Sequence, residues 1–178
     1  MWKRLSTRKI LNHPRLTVVE DKVELPDGEK TSYLRFEYRG DAPTVIARDK
    51  NDKILVIKEY FYVTNEWFYL FPGGFVPISE NIETGISREL EEETGIKVGK
   101  LTLLGNFYSN IRRTETKVDV FLGEDLEKGQ IKLDKEEEIE SHWLSEREID
   151  QLIKDNQFKN SSSLAAWAVY KTSTKLKQ

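Results

Sequence analysis

The sequence predicts an α+β fold, a sandwich of helices and strands preceded by a β arm over residues 1–40. Three observations carry this reading. Strand-like segments come first, one long helix interrupts them, more strands follow, and helices close the chain, which is not the alternation of a βαβ fold. The interrupting stretch, residues 74–96 (GFVPISENIETGISRELEEETGI), places Ile82, Ile86 and Leu90 at i, i+4 and i+8 and so has one apolar stripe. Hydrophobic residues make up 38% of the 178 against 33% charged, enough apolar material at this length to bury a core.

Composition removes several classes of function. There is no cysteine, which excludes disulfides and thiol catalysis. The two histidines, His13 and His142, stand far apart in sequence, so a histidine-rich zinc site is not expected. A net charge of −3 and a pI near 5.6 leave no basic footprint for nucleic acid. No apolar run reaches membrane-spanning length and no signal-peptide core opens the chain, so a cytoplasmic protein without membrane contact is expected.

In order along the arm, Leu16–Val19 and Lys22–Leu25 read as extended, Pro26-Asp27-Gly28 as a turn, and Thr31–Tyr38 as a return strand. Two strands alone are marginal in water and need a partner. The main domain is expected over residues 41–178. In it Thr44–Ala47 and Ile54–Ile57 flank Asp49-Lys50-Asn51-Asp52 and read as a buried hairpin. Trp67–Phe71 is a strand that Pro72-Gly73-Gly74 ends. After the helix, Leu101–Gly105 and Val118–Leu122 read as strands on either side of a loop through Asn110–Thr114. Residues 124–140 read as an acidic, solvated connection. Ser145 is placed to cap a helix with Glu148 completing a capping box, and Ser161-Ser162-Ser163 precede an apolar helix through Leu164–Tyr170.

The chemistry sits in residues 74–96. A helix is expected from about Ile82 to Thr94, stopped by Gly95. At about 100° per residue, Glu93 projects between Ile82 and Ile86, Glu89 lies roughly 40° from it, Glu92 falls on the flank beyond, and Glu91 points away from the stripe. An acidic helix is ordinarily a solvated face. Here the carboxylates edge a buried face, where unpaired they repel one another and take up protons. Hard divalent cations, which prefer oxygen ligands, relieve that conflict.

Gly74, Glu80, Arg88-Glu89-Leu90, Glu92-Glu93 and Gly95-Ile96, at these spacings, resemble the Nudix box at every defining position. The resemblance implies an α/β/α sandwich with a mixed sheet, and attack of water on a diphosphate linked to some other moiety. It implies that Glu89, Glu92 and Glu93 bind Mg²⁺ (or Mn²⁺) and serve catalysis, that the Gly73 carbonyl adds a metal ligand, and that Gly74, Glu80, Arg88 and Gly95 hold the loop–helix unit together. Gly85 stands where many members carry alanine. The opening stretch through Gly28 is similar to the N-terminal arm of the ADP-ribose pyrophosphatase branch, where the arm commonly builds a homodimer by exchange between subunits. A homodimer is expected on that ground. In the same branch a loop glutamate approaches the metals or acts as general base, the alternative being that one of the box glutamates takes the proton. In Asp134-Lys135-Glu136-Glu137-Glu138-Ile139-Glu140, Glu137 matches it best by position, with Glu136 and Glu138 as rivals.

The branch implies a small nucleotide substrate, a nucleoside diphosphate sugar, with ADP-ribose first and AMP and ribose 5-phosphate as products. Tyr60, Phe61 and Trp67, with Tyr62 and Phe68 beside them, are candidates to stack a base, the other reading being that they fill the core. Arg112, next to Arg113, is a candidate for phosphate contact, the other reading being a solvated loop. The chain departs from the branch at three places. Phe61 replaces a frequent arginine, Leu70 a frequent glutamate, and Asn110-Ile111-Arg112 a proline turn. These leave open another nucleotide sugar, a dinucleoside polyphosphate or a damaged nucleotide as substrate. A sensor that binds such a ligand without cleaving it is the reading from a different class, and the complete carboxylate set argues against it.

Overall fold

The computed structural model describes residues 1–175, so 176–178 of the expected main domain lie outside the described residues. The chain forms two compact units, Met1–Arg39 with Asn110–Thr116, and Gly40–Ser109 with the chain from Lys117 onward.

The first unit is an antiparallel sheet of β1 (Lys3–His13), β2 (Leu16–Glu24) and β3 (Lys30–Phe36), with β2 in the middle. Strand β2 runs unbroken through the two segments read separately, and it buries Thr17, Val19, Asp21 and Val23 at the period of two that a one-sided strand requires. The β2–β3 turn closes with Leu25 N–H donating to Glu29 O at 2.8 Å, and Gly28 takes φ 90° within it. Strand β1 lies inside the arm expected as extended, and its pairing with β2 shifts register between Arg4 and Ser6 and between Lys9 and Leu11. The segment 110–116, expected as a loop of the main domain, is bonded to β3. Phe36 N–H donates to Arg113 O at 2.7 Å, and Arg113 Nη1 donates to Leu34 O at 2.9 Å.

The second unit contains β4 (Gly40–Asp41), β5 (Thr44–Ala47), β6 (Ile54–Phe61), β7 (Glu66–Leu70), β8 (Val76–Pro77), α1 (Ile82–Thr94), β9 (Ile96–Tyr108), β10 (Lys117–Lys128), β11 (Ile139–Leu144), α2 (Glu146–Lys154) and α3 (Ser161–Lys175). One sheet has the order β5-β10-β9 and another β11-β6-β7. The expected β5–β6 hairpin is corrected. Strand β5 pairs in parallel with β10, and the chain between β5 and β6 closes through the Arg48–Ile54 bridge and Asp49 N–H on Lys53 O at 2.8 Å. All four residues of β5 are buried, the pattern of a strand covered on both faces, which local sequence cannot distinguish from one side of a hairpin. Residues 124–128 of the expected acidic loop are also strand, because they continue the β10 ladder opposite Ile96–Lys100.

Two apolar layers flank the sheets. On one side Ile86 and Leu90 of α1 pack with Val45, Ala47, Leu55 and Phe121. On the other, Ile149, Phe158, Ala166, Trp167 and Tyr170 pack with Ile46, Ile54, Val56, Phe71 and Val120. The alternation of β6 follows: Leu55, Ile57, Glu59 and Phe61 face α1, while Ile54, Val56, Lys58 and Tyr60 face α2 and α3. This is the expected α/β/α sandwich with a mixed sheet. Ser145 and Glu148 form the expected capping box at the start of α2. Among the described residues no helix is long and apolar enough to cross a membrane.

Candidate active site

Helix α1 is set by its ends and its stripe. Asn81 Oδ1 accepts from the N–H groups of Glu83 (3.0 Å) and Thr84 (3.1 Å) as N-cap. Gly95, at φ 68°, closes the helix with its N–H on Glu91 O, a left-handed position that favours glycine. Between the caps Ile86 and Leu90 are fully buried, and the same face of the helix carries Glu93 to the turn after β7.

There the box carboxylates meet the Pro72–Gly74 turn. Gly73 N–H donates to Glu93 Oε2 at 3.2 Å, and Thr44 Oγ1 and Val45 N–H both donate to Pro72 O, fastening the turn to β5. A Cβ on Gly74 would stand 2.4 Å from Glu89 Oε2, so the turn and the Glu89 carboxylate approach each other only because residue 74 has no side chain. Arg88 gathers three acids. Its Nε and Nη2 donate to the two oxygens of Glu80 (3.3 and 3.1 Å), and Nη1 to Glu89 Oε1 (2.8 Å) and Glu92 Oε2 (3.0 Å).

Glu93 has no such partner. It is 8% exposed, and burial pushes its carboxyl up to about 9, with the charges of Glu89, Glu59 and Glu137 pushing the same way and the Gly73 N–H pulling down. Burial also raises Glu89, against the pull of Arg88. Glu59, on the α1-facing side of β6, is raised to about 7 by burial and by the charge of Glu137, and among the described residues its carboxylate has no hydrogen bond or ion pair. Sequence reading passed over Glu59. Its signal was available in the alternation Leu55, Ile57, Glu59, which puts a carboxylate on a face otherwise apolar.

The acidic loop supplies one further carboxylate. Glu137 is partly buried and its charge reaches Glu59, Glu89 and Glu93, while Glu136 and Glu138 are exposed. The loop places it through a turn in which Glu137 Oε2 accepts from Asp134 N–H (2.9 Å), followed by Tyr60 N–H on Glu138 O (3.3 Å) and the pairing of Ile139 with Glu59.

The aromatic candidates divide. Phe61 lies on the Glu59 face of β6, edge-on to Phe68 at 5.6 Å between centroids. Tyr60 and Trp67 pair with each other across β6 and β7 on the opposite face, beneath Lys58 Nζ at 5.5 Å from the Trp67 ring. The β6–β7 register therefore does not bring Tyr60 and Trp67 to the carboxylates, since neighbouring residues on a strand face opposite ways. Arg112 belongs to the arm's unit, where its carbonyl accepts from the Tyr33 hydroxyl at 2.6 Å.

The fit to divalent ions rests on donor chemistry. Among the described residues Glu93 and Glu59 are acids with no balancing cation, and the side chains whose charges reach them, Glu89 and Glu137 among them, carry oxygen ligands. With Arg88 bridging Glu89 and Glu92, no three acidic or histidine side chains among the described residues enclose a common point as they stand. A wide cleft of about 830 Å³ lies at the C-terminal end of α1, lined by Arg48, Gly95, Ile131 and Trp143, and includes none of these carboxylates. Volume is the weaker marker here. Uncompensated buried charge has a cost that only a ligand or a proton relieves.

A sandwich whose glycine turn, carboxylate helix and acidic loop converge in this way has the loop–helix architecture of a diphosphate hydrolase. The chain belongs to the Nudix family, and within it to the pyrophosphohydrolases: the NUDIX domain model matches residues 38–166. A second model, described as the nucleoside diphosphate sugar hydrolase N-terminal domain, matches residues 2–33. The chain is 30% identical over 124 residues to an ADP-ribose pyrophosphatase of Bacillus subtilis (strain 168), covering 70% of this chain and 66% of that protein. It is 25% identical over 173 residues to the ADP compounds hydrolase NudE of Escherichia coli (strain K12), covering 93% of this chain and 92% of that one. A crystal structure of an ADP compounds hydrolase shares the fold, with a TM-score of 0.85 over 99% of this chain and 95% of that chain at 20% identity.

Proposed function

We propose that this enzyme hydrolyses the pyrophosphate bond of a nucleoside diphosphate sugar, ADP-ribose first, giving AMP and ribose 5-phosphate, with Mg²⁺ or Mn²⁺. The observation that carries the reading is the buried Glu93 carboxyl, faced by Glu89, Glu59 and Glu137 and held by a single N–H. The match of residues 2–33 to a nucleoside diphosphate sugar hydrolase arm and the names of the two relatives support the substrate class.

Nudix hydrolases generally use divalent metals, and Glu89, Glu92, Glu93 and the Gly73 carbonyl are the groups that would hold them. When bound, such ions acidify a water and neutralise charge on the diphosphate. The chain's own residues do the rest. Arg88 fixes the direction of Glu89 and Glu92 while bracing Glu80, and the Gly73 N–H orients Glu93. Glu137 takes the proton of the attacking water at its carboxylate. One P–O bond of the diphosphate breaks as the new one forms, and the leaving phosphate departs as a monoester. Phe61 and Phe68 wall the same face and exclude water beside Glu59.

The arm is proposed to dimerise the enzyme. All eleven residues of edge strand β1 are exposed, Leu5, Ile10 and Leu11 among them, and a second copy would cover these apolar side chains and the open strand edge. A monomeric mass by sedimentation at micromolar concentration would remove this part. The activity is tested by product analysis with Mg²⁺ on ADP-ribose, other nucleotide sugars and dinucleotides, with Glu93→Gln as control. AMP and ribose 5-phosphate from ADP-ribose, absent with the variant, support the reading. Turnover of a different compound moves the substrate claim, and binding without turnover overturns it.

A further inference from the structure

The end of α1 leaves carbonyl groups without helical partners. Residues outside the helix take them up: Gly129 N–H donates to Gly95 O at 2.7 Å and Lys132 N–H to Glu92 O at 2.8 Å. Residues 129–132 thus strap the helix end, with Ile131 packed over Gly95. Glu91, expected to point away from the apolar stripe, points at this strap. Its Oε1 accepts from Gln130 N–H at 3.3 Å, and Gly129 lies so close that a Cβ there would stand 2.7 Å from the same oxygen. A carboxylate in the last turn opposes the helix dipole, and Lys97 Nζ at 3.6 Å offsets that only partly. What the position gains is the strap.

Two residues beyond Lys132 begins the Asp134–Glu137 turn, and after it the chain is fixed again by Tyr60 N–H on Glu138 O. The segment carrying Glu137 is therefore held at one end by β6 and at the other by the strap. We propose that Glu91 is a positioning residue for Glu137: by holding Gln130 and Gly129 it sets where the loop presents the Glu137 carboxylate. Glu91 touches no reacting atom, and its effect passes through the loop. This rests on the reading of Glu137 as proton acceptor.

The test compares Glu91→Ala, Glu91→Gln, Glu137→Gln and the double variant Glu91→Ala/Glu137→Gln in the full-length protein. Glu91→Ala is expected to lower kcat by about tenfold to a hundredfold with KM little changed, as misplacement of a reacting group does. Amide hydrogen exchange should quicken over residues 129–138 while α1 stays protected. Glu91→Gln keeps the acceptor oxygen and should recover most of kcat. In the Glu137→Gln background, Glu91→Ala should add little. Unchanged exchange over 129–138 in Glu91→Ala overturns the proposal, as does an equal loss of kcat in the Ala and Gln variants, which would assign the effect to charge. Full activity of Glu137→Gln would instead defeat the reading of Glu137, while faster exchange in Glu91→Ala would still establish the strap.

Discussion

Replacing Glu93 by glutamine separates the cost of the buried carboxylate from its use. In the folded protein burial raises this group from its ordinary 4.5 to about 9, so between those values the unfolded chain loses a proton that the folded protein keeps. Stability of the metal-free protein must therefore fall as pH rises from about 4.5, and level off only above the raised value. Each pH unit across that window costs about 1.4 kcal/mol, so over the 3.5 units from 4.5 to pH 8 Glu93 costs on the order of 5 kcal/mol as a ceiling. Glu59 adds to the same slope up to about 7, less strongly because it is only half-buried and water screens it. Glutamine is nearly the same shape, stays neutral, and its Oε1 can still accept from the Gly73 N–H. In urea titrations with chelator, Glu93→Gln should raise the midpoint near pH 8, leave it nearly unchanged near pH 4.5, and leave the slope m as it was. Mg²⁺ should then stabilise the wild type near pH 8 and have much less effect on the variant, because an ion that binds only the folded state stabilises by mass action. A variant shifted equally at both pH values, or destabilised near pH 8, would refute the claim that an uncompensated carboxylate sits at this place.

Three other outcomes follow from the same geometry. Gly85→Ala, which gains up to about 1 kcal/mol of helix propensity, should nevertheless destabilise by roughly 1–3 kcal/mol in urea unfolding, because its Cβ would stand 2.4 Å from Val76 Cγ2. Glu137→Gln should lower kcat by about a hundredfold or more, while Glu136→Gln and Glu138→Gln, at exposed positions, should stay near wild type in the same assay. Phe61→Ala should raise KM for the nucleotide substrate by about tenfold, the scale of one lost stacking partner. Trp67→Ala, on the other face of the sheet, should leave KM in place.

Local order was legible in sequence wherever a few neighbouring residues decide it. The Ile82, Ile86, Leu90 stripe, the Gly95 stop and the Ser145–Glu148 capping box need only the period of a helix and the chemistry of its ends. The box spacing belongs here too, since Arg88 reaches Glu89 and Glu92 along one helix. Several strand segments were recognised as strands, and the return of β3 on β2 across its turn was legible, yet the partner of β5 was not. The apolar run Thr44–Ala47 looks the same whether it turns back on β6 or lies parallel to β10, because hydrogen-bond pairing is settled by chain far away in sequence.

The sequence by itself determined the family, the sandwich class and the helix that bears Glu89, Glu92 and Glu93. Tertiary structure decided which other groups stand with them. Pairing of β6 with β11 brought Glu59 beside the loop of Glu137, and the alternation of β6 turned Phe61 toward them and Tyr60 away. It also joined residues 110–116, Arg112 included, to the arm, and pressed Gly85 against Val76. The physical reason is one of range. Caps and periodicity act over a single helical turn, whereas burial, strand register and the meeting of charges depend on segments separated by tens of residues, which only the folded chain brings within reach of one another.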